Sequence, residues 1–338
     1  MILTPCRVRS SVVTDLLNIS MNLSNSTAAS IIFGIILSMG AQSALAVPAT
    51  KVFLNGAPTP VFFNDGDSFR VLAGPHKGTR ARMKGFNTLE TYGPVHKWGG
   101  WHYKELYVNS KMGTLNARNG VWHCSSKTFE RDGYGRILWH CPGLARDQVR
   151  RGYAHAMTVT DEAADAELLK AQADAMKNKR GMWALGTPEY VLTSLHSFDE
   201  PRAKKGKNYN RVVSTRDGHS AKWLHDEIYP ECSEVCRTAH EVEQSLISSA
   251  AKKLIDEGHT ALSSFDPARL ERLVGDYARL GYWPKIKDSA EVQSLLEERL
   301  PPMREEGAFG NAAAEKESCN IYVKFKRRYG NTRAECLR

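Results

Sequence analysis

Polar and apolar residues alternate through "TRARMKG", Thr79 to Gly85, so Arg80, Arg82 and Lys84 fall on one side of an extended chain and Ala81 and Met83 on the other. The spacing predicts a strand with one basic face, which by itself reads as a solvated edge strand. "SFRVLA" precedes it, and "GPHKG" between the two predicts a hairpin turn. From Lys51 to about Trp139 the chain is mostly short runs of this kind. Trp101, Val108, Met112 and Leu115 recur at helical spacing instead, which predicts a helix between Trp101 and Asn119 with that stripe packed on the strands as core. "GVWHCSSKTFERDGYGRILWHC", Gly120 to Cys141, reads as two strands around a polar turn, with a short helix near Arg146–Arg151. A longer helix is expected over Asp161 to Arg180, with Thr160 as N-cap and Gly181 just past its end.

After Trp183 the pattern changes. Residues 187–230 are rich in charge, Gly, Pro, Ser and His, including "RAKKGK" at Arg202 to Lys207, and read as a basic linker. From Glu231 the period is helical: Asp266 and Pro267 open one helix, Gly281 stops it, and Asp288 with Glu291 makes a capping box for the next. At the other end, the apolar run Ala28 to Ala41 and the small residues Ala44 and Ala46 read as an export signal cut before Val47. An uncleaved membrane anchor is the alternative.

The resulting division is a leader over 1–46, a β-rich domain over 47–186, the linker, and a separate, mostly α-helical domain over 231–338. A length of 338 residues is enough for two cores. The net charge of +9 favours an anionic partner. Cys6 would leave with the signal; Cys124, Cys141, Cys232, Cys236, Cys319 and Cys336 remain, an even number that in an exported chain reads as disulfides. The repeated "WHC" at Trp122–Cys124 and Trp139–Cys141 is compatible with zinc only if its His and Cys converge, and alternation on a strand sends them to opposite faces. A Cys124–Cys141 bridge is therefore preferred. Cys232 and Cys236, four apart on an expected helix, are placed to bridge twice to Cys319 and Cys336, with a structural zinc as the alternative.

Three polar clusters carry the candidate chemistry: "NDGDS" at Asn64–Ser68, Arg82 with Asn87 and Glu90 in "RMKGFNTLET", and "RDGYGR" at Arg131–Arg136. Singly each is an ordinary turn former. In this order and spacing, over roughly residues 52–186 and with Gly181-Met182-Trp183 closing the last helix, they resemble the staphylococcal nuclease (thermonuclease) family. The resemblance implies an α+β domain built on an OB-type five-stranded barrel with three helices, and Ca²⁺-dependent hydrolysis of phosphodiester bonds in DNA or RNA. By position it implies that Arg82 and Arg136 grip the phosphate and that Glu90 orients or deprotonates water. It further implies that Asp67, Asn87 and the Thr88 carbonyl hold the calcium with Asp65 behind them, and that Tyr134 and Asp132 border the nucleotide.

These residue types suit the chemistry on their own terms. A phosphodiester repels hydroxide, so its oxygens must be neutralised and a water activated. Guanidiniums hold phosphate bidentately at any working pH, and a carboxylate beside a cation can take the water's proton. Two positions depart from the family pattern: Asn87 stands where an aspartate is usual and Leu89 where a proline is. Asn87 removes one charge from the calcium shell and is expected to weaken binding by on the order of tenfold. Losing the proline is expected to cost well under roughly 2 kcal/mol. A non-catalytic OB module that binds nucleic acid or another polyanion is the second expectation.

Overall fold

A computed structural model describes residues 50–338 other than 92–93, 201–207, 283–285, 287, 312–313 and 325–333; the expected leader and the "RAKKGK" run lie outside the described residues. The first strands are β1 (Thr50–Leu54), β2 (Ala57–Phe63), β3 (Ser68–Val71) and β4 (Arg80–Met83), an antiparallel meander with the expected hairpin between β3 and β4. Next come β5 (Phe86–Thr88), β6 (Val95–Trp98), α1 (Tyr103–Asn119), β7 (Val121–Cys124), β8 (Ile137–Trp139), α2 (Pro142–Arg150), β9 (Ala154–Ala156) and α3 (Ala166–Lys177). The main sheet has the order β7-β1-β2-β3-β4-β8, with β7 and β8 added in parallel to its two ends. Phe63, Phe69, Met83, Ile137 and Trp139 of the sheet pack with Leu144 and Val149 of α2 and with Leu168 of α3 to form its core.

β4, expected at an edge, lies inside this sheet between β3 and β8. β7 and β8 are not a hairpin along their length but the two opposite edges. They meet where Ser125 and His140 exchange backbone hydrogen bonds of 2.9 Å, beside the expected Cys124–Cys141 disulfide.

Helix α1 forms where it was expected but turns the other way. Val108, Met112 and Leu115 are exposed, and the buried face carries Leu106, Asn109, Ser110, Gly113, Thr114 and Ala117. Small residues and hydrogen bonds seat this face instead of an apolar stripe: Gln148 donates to the Gly113 carbonyl at 2.8 Å, and the Thr91 and Thr114 hydroxyls lie 3.0 Å apart. Helix α3 starts later than expected, because Asp165 rather than Thr160 accepts the first free amides, those of Glu167 and Leu168. Asp161 pairs instead with Arg269 at 2.7 Å.

The residues read as a linker contain β10 (Tyr190–Ser194), β11 (Tyr209–Ser214) and β12 (Ser220–Leu224), an antiparallel sheet whose buried Val191, Leu192, Val212 and Val213 supply the apolar content that the surrounding charges masked. Then come β13 (Glu234–His240), α4 (Gln244–Asp256), α5 (Pro267–Leu280), α6 (Ala290–Glu305) and β14 (Glu315–Ile321). Asp266 and Gly281 bound α5 as expected, whereas Ser289, not Asp288, caps α6, and Asp288 is taken by Arg269. β14 lies between β13 and β6, so the first and last parts of the chain share a sheet. The described residues cluster as one compact unit, within which α4, α5 and α6 pack around a core of their own that includes Ile247, Leu254, Leu273, Leu296 and Leu300.

Cys232 and Cys236 sit in a turn and on β13, not on a helix, yet they bridge to the expected partners as Cys232–Cys336 and Cys236–Cys319. The six cysteines among the described residues are thus all in disulfides, so Cys232, Cys236, Cys319 and Cys336 are paired with one another and not held as zinc thiolates. The chain is α+β, and no helix among the described residues is long and apolar enough to cross a membrane.

Candidate active site

The loop between β2 and β3 places Asp65 and Asp67 around Gly66. A side chain at Gly66 would put its Cβ 2.5 Å from Cγ2 of Thr88 and 3.1 Å from the backbone of Gly113, so only glycine lets the loop lie this close to β5 and α1. Asp67 is 2% exposed. Its Oδ2 accepts from the Thr88 amide at 2.7 Å and the Thr88 hydroxyl at 3.0 Å, and its Oδ1 accepts from Arg82. The β3–β4 register sets Ser68 opposite Arg82, which brings the guanidinium to Asp67. The same guanidinium donates to Oδ1 of Asn87. Asp65 accepts from the Ser68 hydroxyl at 2.6 Å and the Asp67 amide at 3.2 Å.

Charge here is out of balance. Asp65, Asp67 and Glu90 are close enough to act on one another, with Arg82 as the cation among them. Burial, then the charges of Asp67 and Glu90, push the Asp65 carboxyl up to about 8. Burial works to lower the Arg82 pKa, but Asp67, Asp65 and Glu90 outweigh it and hold the guanidinium more firmly charged than usual. The oxygens of this cluster belong to carboxylates, an amide and a carbonyl, although those of Asp65, Asp67 and Glu90 do not all lie within 4.8 Å of one another. Such a set suits a hard divalent cation such as Ca²⁺, and the surplus negative charge is what that cation would relieve.

Two histidines that the sequence reading left out stand behind the cluster. His155 of β9 is the cross-strand partner of Asn87. Its Nδ1 donates to the Ala156 carbonyl at 3.1 Å, which leaves Nε2 to accept from Nδ2 of Asn87, 3.4 Å away. Burial lowers His155 to about 4, so it stays neutral and matches an amide at 87 better than a carboxylate. His96, lowered to about 3 by burial and then by His155, offers Nε2 to the Glu90 amide at 3.5 Å. The visible signal was a histidine at an inward position of a short apolar strand, in "YAHAM" and "PVHKW". Leu89, the other departure, is 1% exposed and packs with Trp98, Leu106 and Trp183, so a buried side chain anchors the turn.

The "RDGYGR" turn stands beside this cluster. Asp132 accepts from the amides of Tyr134 and Arg136 at 2.9 Å each and from Nε of Arg136 at 2.6 Å. Both its oxygens are therefore engaged, and it holds Arg136 in place rather than offering a free contact to a nucleotide. Parallel pairing sets Arg82 beside Leu138, so Arg136, two residues before Leu138, rises on the same outer face as Arg82. Arg80 on that face donates to the Tyr134 carbonyl at 2.7 Å. Tyr134 is half exposed, with the Arg136 guanidinium 5.3 Å from its ring centre. Arg82, Asp65, Asp67, Asn87, Thr88 and Glu90 are thus brought together, while Arg136 and Tyr134 are held by the neighbouring turn, with Arg136 on the same sheet face as Arg82. No protein-family model matches the chain, and no curated protein is similar to it.

Proposed function

We propose that the protein is an exported, metal-dependent nuclease that hydrolyses phosphodiester bonds of DNA or RNA. The observation that carries this reading is the surplus of carboxylates around Arg82, on a sheet face that also bears Arg80 and Arg136. Arg82 and Arg136 bind the phosphate oxygens, and Glu90, its amide fixed on His96, takes the proton of the attacking water. Asp67, Asn87 and the Thr88 carbonyl would hold Ca²⁺ with Asp65 behind them; when bound it neutralises charge on the phosphoryl group. His155 keeps the Asn87 carbonyl aimed at the cluster. A basic net charge supports a polyanionic substrate, and three disulfides suit an oxidising, exported setting. The joined edges of the six-stranded sheet support the OB-type barrel that the resemblance implies.

One observation favours the non-catalytic reading: Arg82 already spends its donors on Asp67 and Asn87. Cleavage requires that guanidinium to turn from Asp67 and Asn87, the residues that would hold the cation, to the phosphate. The two readings separate on incubating purified protein with single-stranded DNA, duplex DNA and RNA, with Ca²⁺, Mg²⁺ or a chelator. Metal-dependent cleavage is expected, reduced about 100-fold in Glu90→Gln and in Arg136→Ala with melting unchanged. Tight binding with no cleavage under any condition sinks the enzyme.

A further inference from the structure

An open cleft of about 700 Å³ lies among β12, β13, the end of α5 and α6, lined by Lys222, Trp223, Arg237, Leu280, Tyr282 and Glu297 among others. None of these residues belongs to the cluster around Asp67. Arg237 leaves the middle of β13 with its guanidinium 5.2 Å from the ring centre of Trp223 and 4.5 Å from that of Tyr282. One terminal nitrogen donates to the Leu280 carbonyl. Its Nε is buried without an acceptor, and so is the hydroxyl of Tyr282.

Arg237 also lacks a counter-charge. No carboxylate pairs with it among the described residues, and the residues outside them contain a single acid, Asp15. The acid on the cleft wall, Glu297, accepts from Gln293 at 2.6 Å and does not pair with Arg237. Burial accordingly draws the Arg237 guanidinium below its ordinary range. A half-buried cation normally comes with a carboxylate, and buried donors normally come with acceptors. Here one charge and two donors are left over at the wall of one cleft, and the missing partner must be an anion rich in acceptor oxygens.

We propose that this cleft binds a phosphate group, with Arg237 donating to its oxygens and Lys222 adding a second positive charge at the rim. The planar fork of a guanidinium matches phosphate geometry, and the volume lies in the range of small-molecule sites, with room for a nucleotide. The site stands whether or not the cluster at Asp67 cleaves nucleic acid.

Calorimetric titration of the full chain in chelator, with AMP, inorganic phosphate and adenosine as probes, tests it. AMP and phosphate bind with one site per chain and adenosine does not. Arg237→Gln, which retains a donor for Leu280, weakens AMP at least tenfold, Lys222→Ala weakens it at least threefold, and Arg136→Gln leaves it unchanged. Should Arg237→Gln fail to fold, the Lys222→Ala result decides. Absence of AMP binding at millimolar concentration, adenosine binding as tightly as AMP, or equal loss in Arg136→Gln overturns the proposal. The cleavage assay is read separately, so either idea can fail alone.

Discussion

Two groups of carboxylates in this molecule, one built on buried Asp276 and one on buried Asp67, solve the same problem in different ways. At His219, Nδ1 meets Asp217 and Nε2 lies 2.8 Å from Asp276, which also accepts from Tyr190 at 2.7 Å. Burial opposes a charge on His219, but Asp276 and Asp217 overcome it and push the imidazole up to about 10. There the protein's own cation answers the acids. Around Arg82 the acids outnumber the cation, and it is a carboxyl, Asp65, that is pushed toward neutrality. Perturbed groups mark structural networks and functional sites alike. Around Arg82 the guanidinium is held charged as well, yet a carboxyl is still driven toward neutrality, and it is on this imbalance that the proposed cation site rests.

The comparison breaks most visibly if the two groups respond alike to losing an acid. Asp276→Ala leaves His219 and Tyr190 without their shared partner at a fully buried position, and is expected to cost about 3–5 kcal/mol in chemical denaturation. Cleavage per folded molecule should not change. The next largest effect is in pH. A histidine raised above its unfolded value stabilises fully below about 6.5 and loses that contribution as pH rises toward about 10. Denaturation midpoints measured across this window should fall in the native protein and fall less in His219→Gln.

Asn87→Asp sharpens the contrast at the other group. The amide donates from Nδ2 to the Thr88 carbonyl at 2.9 Å and to His155, and a carboxylate cannot. In chelator the variant should lose about 1–3 kcal/mol, while the calcium concentration for half-maximal cleavage falls about tenfold. The smallest effect has the opposite sign: Asp65→Asn removes repulsion but retains an acceptor for Ser68, and should stabilise the chelated protein by about 0.5–2 kcal/mol. A loss as large as that of Asp276→Ala would make the cluster a structural network like the other.

Local features were legible in the sequence where one mechanism dominated. The glycines of "GPHKG" and the Asp266–Pro267 cap form what they predict, and the Cys124–Cys141 bridge and two bridges from Cys232 and Cys236 to the C-terminal segment were expected, though not which cysteine pairs with which. The failures come from contacts distant in the chain. Helical spacing marked Val108, Met112 and Leu115 as core, but α1 is seated by Gly113 against Gln148 of α2 and by Thr114 against the loop at Thr91, contacts that no local pattern reveals. Charges around β10–β12 hid strands, and β14 joins β6 across more than two hundred residues. At the candidate site the residues were visible in order, yet Asn87 looked like a weakened aspartate until His155 stood opposite it. Leu89 looked like a lost proline until its burial was seen.

The central claim is that the acids around Arg82 await a cation. Melting temperature measured against calcium concentration, for the native protein beside Asp67→Asn, tests it without reference to cleavage. A saturable rise in the native protein that disappears or needs far more calcium in Asp67→Asn is predicted; no rise, or the same rise in both, contradicts it.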